Sequence, residues 1–486
     1  MLRHISANSL RANLSFLASD LLEGRDTPSR GLDIAAEYIA AQFRGAGLEP
    51  VGDDGYFQTA VMTVVEPVRE GFEMTVEQAG RTISMTRDQI APKFHTALDI
   101  SRAGIYKLNA DAEKAVANLK PGELADKIVV VELAEHGGGN GNEASQKFRR
   151  MMDALERANP KLVLLLAARP PSEPANRLVA AGDRETKGPP RIVVRSSEFF
   201  RWYESLRPGL SEATLTMRLP ASLERSVKLH NVIGLLRGSD PVLKDTYVLL
   251  TAHYDHIGMK PDGAGDRIYN GANDDGSGTV SVIEIASALA TLETRPKRSL
   301  VFMTFFGEEE GELGSKYYAQ HPVFPIEKTI GDVNLEQLGR TDASDGRKIA
   351  EGTFTGSRYS DLPRVFQSAG ARTGVRVLND DRYGDSYFSR SDNEALARLG
   401  IPAHTLAVAF DFPDYHGVGD EWQKIDYNNM AKVDRMVALG LIVMADNPQP
   451  PLWNESERKA EPFVKAWKEH HPDGARTQFA SPSRFR

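Results

Sequence analysis

The chain has 486 residues, 41% hydrophobic and 26% charged, with 59 basic against 67 acidic side chains and a formal charge of −8. That is the composition of a globular protein of roughly three domain-sized units, and the acidic excess argues against a general nucleic-acid binder, which wants a basic face. Cysteine is absent, which excludes disulfides, thiol nucleophiles, cysteine zinc sites and iron–sulfur clusters, so a metal must be held by His, Asp and Glu.

Taken in chain order, residues 9–21 carry Leu10, Leu14, Phe16, Leu17 and Leu21 near a 3.6-residue period and predict a helix. A turn-rich stretch follows at 24–31, then a second amphipathic helix over 32–46, with Gly47 as its stop. The start, Met-Leu-Arg-His-Ile-Ser, has no apolar core or cleavage site, so no signal peptide is expected there. No apolar run approaches the roughly 20 residues of a membrane span. Residues 66–229 read as a β-rich unit, with strands at 72–77, 82–85, 127–133, 161–167, 191–194 and 213–219 and one helix at 143–158. Its Gly-rich run at 137–141 reads as a loop, because the Lys and Ser/Thr of a phosphate loop do not follow it.

From 230 to 448, strand-like and helix-like segments alternate, which predicts an α/β sheet. Strands are expected at 231–236, 247–252 and 300–306, and helices at 277–292, 313–320 and 393–399. The remainder, 449–486, reads as a docked C-terminal arm.

Four segments near strand ends carry chemistry, as expected where α/β sheets place their sites. Thr251-Ala-His253-Tyr-Asp255-His256 offers a His ligand with an Asp to orient its other ring nitrogen. Asn273-Asp274-Asp275-Gly276 opens a helix, and an Asp there can present its two oxygens to two cations. Glu308-Glu309-Glu310 directly follows a buried apolar run, which is costly unless something positive sits there. One Glu of such a group can bind metal while its neighbour moves protons. Asp414-Tyr415-His416 sets a hydroxyl donor beside a further ligand. Each segment alone also reads as an ordinary turn or loop. Together they form a set for two cations about 3.5–4 Å apart.

In order and spacing these motifs resemble the dinuclear-zinc aminopeptidases, which share their catalytic fold with glutaminyl cyclases and glutamate carboxypeptidases. The resemblance rests on His253-Tyr254-Asp255, on Gly271 to Gly278, on Glu308-Glu309-Glu310-Gly311-Glu312-Leu313-Gly314-Ser315, and on Tyr415-His416. It implies two zinc ions per chain. His253, Asp274, Glu309, Glu336 and His416 would be the ligands, with Asp274 as the bridge. Glu308 would be the general base, Tyr415 a donor to the oxyanion, and Asp255 the residue behind His253.

The implied fold is a mostly parallel mixed sheet sandwiched by helices, built from residues 1–65 and 230–448, with 66–229 similar to an inserted protease-associated domain. The implied substrate is a peptide or dipeptide, and the relatives' usual location implies export. Two positions depart from the pattern. Glu336 stands where the family has a ligand Asp, and Asn393 stands where Ser-Asp is usually followed by His. Two other readings stay open: a glutaminyl-peptide cyclotransferase, and a receptor-like protein without catalysis.

Overall fold

The computed structural model describes residues 2–108, 119–132, 141–166, 177–180, 188–379 and 381–472. His136 and the glycines at 137–139 lie outside the described residues. The chain divides into two compact units, Met1–Ala60 with Lys228–Arg486, and Val61–Val227.

In the first unit, helix α1 spans Ala7–Leu17 and α2 spans Arg30–Gly45. Each begins at a serine whose side chain accepts from the first helical turn, Ser6 from the Ser9 amide and Ser29 from the Leu32 amide, both at 3.1 Å. Between them, Asp20–Arg25 forms a short tight helix broken by positive φ at Glu23 and Gly24. The helix expected over 9–21 ends early, at Leu17, because the backbone leaves the helical region at Ala18 and is extended at Ser19, φ −87°, ψ 152°.

The strands that order the site are β1 (Leu223–Leu236), β2 (Tyr247–His253), β3 (Ser299–Phe305), β4 (Thr329–Glu336), β5 (Glu351–Phe354), β6 (Arg376–Leu378) and β7 (Ala403–Ala407). Across the sheet they run β6-β5-β7-β4-β2-β3-β1. The central set β7, β4, β2 and β3 is parallel, while β1 and β5 join antiparallel. The parallel strands are buried on both faces, so they read as near-continuous apolar runs.

One face meets α4 (Leu313–Gln320), α6 (Asn393–Ala397) and α8 (Glu461–His470). There Leu249, Val301, Met303 and Phe305 cluster with Tyr318, Leu396 and Phe463. Alternation along the strands turns the other residues to the second helical layer. That layer holds α3 (Gly278–Ala290) and α7 (Tyr427–Asp446), both in contact with β2 and β3. Helix α5 (Leu362–Thr373) packs on α7. All of α3 except Ser287 and Ala290 is buried, as expected of a helix that is apolar nearly all round. Residues beyond 448 contribute Trp453, Ala460 and Phe463 to the first cluster.

The second unit holds a sheet whose middle strands Leu98–Lys107, Ile128–Glu132, Leu162–Leu166 and Arg191–Val194 are parallel. Gly209–Leu219 and shorter strands extend it antiparallel. Period-two alternation splits its residues between two cores. Ile128, Val130, Leu162 and Leu164 join one, and Val129, Val131, Val163 and Leu165 join the other. Helix Gly141–Ala158 begins close to where the sequence predicts one. No helix among the described residues is long and apolar enough to cross a membrane.

Candidate functional site

Four parallel neighbours, β7, β4, β2 and β3, end together and each delivers part of the site. The chain leaves β2 toward β3 on one side and later fills β4 on the other, so the strand order reverses at β2, whose last residue is His253. Register places the rest. Thr251 pairs with Asn334, so Glu336, two residues further, falls level with His253 and on the same side. His253 pairs with Phe305, so the Glu308–Glu309 turn comes just beyond it. His416 lies in the loop after β7, at φ 51°.

Asp274 sits in the turn Ala272–Ser277 that leads into α3, with backbone that departs from helix at φ −108°, ψ 100°. Its carboxylate faces two imidazoles. Oδ1 is 3.5 Å from His253 Nε2, and Oδ2 is 3.2 Å from His416 Nε2. His416 Nε2 is also 3.3 Å from Glu309 Oε2, and Glu308 Oε2 is 3.9 Å from His253 Nε2. Two groups can each surround a cation: His253, Asp274 and Glu336, and His256, Asp274 and Glu309. Both ring nitrogens of His253, both of His256, Asp274 Oδ2 and Glu309 Oε1 are buried without a hydrogen-bond partner. Buried polar atoms are nearly always satisfied, so this set fits a metal, and nitrogen and carboxylate donors of this kind suit zinc.

Residues 231–440 match the model of Peptidase family M28. This part of the chain is a peptidase family M28 domain. A probable zinc metalloprotease of Pyrenophora teres f. teres is 36% identical over 135 residues, 27% of this chain and 28% of that protein. The chain thus spans less than a third of the first curated relatives it matches. Among solved structures, an aminopeptidase from Aneurinibacillus sp. strain AM-1 superposes with TM-score 0.61 at 19% identity, covering 94% of this chain and 98% of that one. A zinc aminopeptidase from Bacillus subtilis gives 0.52 at 18% identity, covering 90% and 95%. At these identities the likeness is one of fold.

In the M28 domain, Asp255 is expected behind His253. Its Oδ1 approaches His253 Nδ1 only to 3.5 Å, while its two oxygens accept the amides of Glu308 and Glu309 at 3.1 and 3.3 Å. It therefore also fixes the turn that carries both glutamates. Tyr415 stacks on His416 with ring centroids 4.1 Å apart and stays partly exposed. Asn393 joins a buried polar chain instead of the cation groups. It accepts from Thr405 Oγ1 at 2.8 Å and donates to the Phe388 carbonyl at 3.1 Å. His404 is a satisfied core residue between Ser360 Oγ and the Thr355 carbonyl.

Two supports of the M28 site have no local signal in the sequence. Arg25 is buried, and its guanidinium donates to the carbonyls of Leu17, Tyr254, Asn270 and Gly271 at 2.7–3.0 Å. It ties the two loops that carry His256 and Asp274 to the first unit's N-terminal segment. Asp420 accepts the amides of Asn273 and Asp274 at 3.0 Å, which sets the Asp274 carboxylate in place. An Arg in a turn-rich stretch and an Asp after a Gly-Val-Gly loop both read as surface residues.

The electrostatics follow from burial and crowding. Burial, only partly offset by His253, holds Glu308 well above the ordinary carboxylate range, helped by Glu336, Asp392 and Glu309. Burial likewise pushes Glu336 and Asp392 up to about 7. Burial and Asp274 also oppose ionisation of Glu309, but His256 and His416 hold it down at about 2. Asp274 is depressed despite its burial by His253 and His416. Asp274 and Glu309 in turn push His416 up to about 10.

Proposed function

We propose that the chain is a zinc-dependent exopeptidase, an aminopeptidase acting on peptides or dipeptides through a pair of zinc ions. The observation that supports it most is Asp274, whose two oxygens face imidazoles delivered from different strand ends. That is the arrangement of a carboxylate that bridges two cations. In this reading His253 and Glu336 complete one position, and Glu309 and His416 the other. Glu336 is one methylene longer than the expected Asp, and its register level with His253 keeps it within reach.

Zinc at these positions would supply Lewis acidity toward the scissile carbonyl and water. The chain's own residues do the rest. Glu308, beside His253 and held by the Asp255 bracket, takes a proton from the attacking water and returns it to the departing amine. Its raised pKa suits a group that must both accept and donate. In this reading Tyr415, which stacks on His416, donates to the oxyanion. Residues 66–229 would be the protease-associated-like insert, a reading supported by the compact unit Val61–Val227.

The test is Glu308→Gln assayed on aminoacyl-anilides beside dipeptides. Zinc content should persist while turnover falls by about 10²–10⁴-fold, the usual worth of a positioned proton carrier. Wild-type turnover in the variant would remove Glu308 from this role.

A further inference from the structure

His256 is the imidazole to which the motifs assign no task, and the structure puts it inside the site. Its Nδ1 stands 2.8 Å from Glu309 Oε1, with the side chain fully buried. That separation is short enough for a hydrogen bond, yet neither atom has a partner of hydrogen-bond geometry, and neither does His256 Nε2. Two donor atoms stand side by side here, each buried and without a partner. His256, Asp274 and Glu309 are close enough together to share one cation. The His416 ring closes the same corner. It meets the His256 ring edge-on at 5.6 Å and reaches Asp274 and Glu309 at 3.2 and 3.3 Å.

The placement of His256 does not depend on Glu309. Its amide donates to the Arg25 carbonyl at 3.2 Å, and the Gly258 amide donates to the Gly24 carbonyl at 3.1 Å. Arg25 Nε donates back to the Tyr254 carbonyl. Gly271, at φ +55°, makes room for the ring, because a Cβ there would collide with His256 Cγ and Cδ2.

We infer that His256 is a direct ligand of the metal held by Asp274, Glu309 and His416, so that the two metal positions are unequal. One has three protein side chains, His253, Asp274 and Glu336, and the other has four. Four side chains complete a tetrahedral zinc. A metal on the His253 side would then be held by fewer side chains, beside Glu308. The inference rests on the dinuclear reading above.

The test uses the full chain, with zinc titrated against a chromophoric chelator and the visible spectrum recorded after cobalt substitution. Wild-type protein should bind two zinc ions with separable affinities. His256→Ala should weaken one of them at least about 100-fold, at or beyond the top of the roughly 10–100-fold cost of a residue that acts only through another ligand. It should also change the cobalt spectrum. His256→Gln keeps an amide able to hydrogen-bond Glu309 and guards against a folding defect, and it should fail to restore either property. Two zinc ions bound by the variants with wild-type affinities and an unchanged cobalt spectrum would overturn the ligand assignment alone. So would full rescue by Gln, which would leave His256 a positioning residue. A wild-type chain that binds fewer than two zinc ions would overturn the dinuclear reading and this inference with it.

Discussion

The two units build their sheets by the same mechanics and fill them differently. Both use central parallel strands buried on both faces, such as Leu162–Leu166 in one and Ser299–Phe305 in the other. Among the described residues, the unit Val61–Val227 buries one polar side chain, Ser196, and that one caps a helix by accepting the Phe199 amide. The unit that carries the M28 domain buries a long series, from Arg25 through His253, Asp274 and Asn334 to Asp434. Burying polar and charged groups costs free energy unless each is paired. The apolar unit shows that a sheet of this kind closes without them. Part of the polar interior of the other is the site and the residues that hold it, Arg25 and Asp420 among them.

This contrast can be broken most forcefully at Arg25. Arg25→Ala should destabilise the protein by about 3–5 kcal/mol, because the buried carbonyls and the acids behind them lose the positive charge in that loop cluster. Urea unfolding measures this, and a loss below about 1 kcal/mol would show that water replaces the guanidinium. In the apolar unit, Leu164→Ala should cost about 2–5 kcal/mol through the cavity it leaves, with zinc content unchanged. Loss of zinc in that variant would show that the units are not energetically separate.

A smaller effect is expected from His404. Burial lowers it from 6.5 to about 4 although the Thr355 carbonyl opposes the shift. The folded state thus prefers neutral imidazole. Its contribution is fully present above pH 6.5 and is lost as pH falls toward 4, about 3 kcal/mol over that window. Denaturant melts at several pH values should show this slope in wild type and a flatter one in His404→Gln. An equal slope in both would assign the acid sensitivity to other groups. The smallest effect belongs to the surface. Arg102→Ala, which breaks the exposed pair with Glu77, should change stability by less than about 1 kcal/mol.

Much of the site is legible in the sequence because an acidic or His-bearing segment directly after an apolar run is unusual. Glu308 and Glu309 after β3 and His253 at the end of β2 announce themselves that way. Short strands are harder to read. Glu351–Phe354 and Arg376–Leu378 have too few residues to show a period, and neighbours in the sheet stabilise them instead. Arg25 and Asp420 are illegible for a different reason. They reach partners 229 and 147 residues away, so nothing adjacent in the chain marks either as buried.

The sequence by itself determined the donor chemistry. With no cysteine, any metal has to be held by imidazole and carboxylate, and those residues stand just past runs that read as strands. The tertiary structure decided which of them share a point. Parallel register brings Glu336 level with His253, and the Arg25 clamp turns His256 inward beside Glu309. Strand alignment and loop clamping act across hundreds of residues, so spacing along the chain carries no record of them.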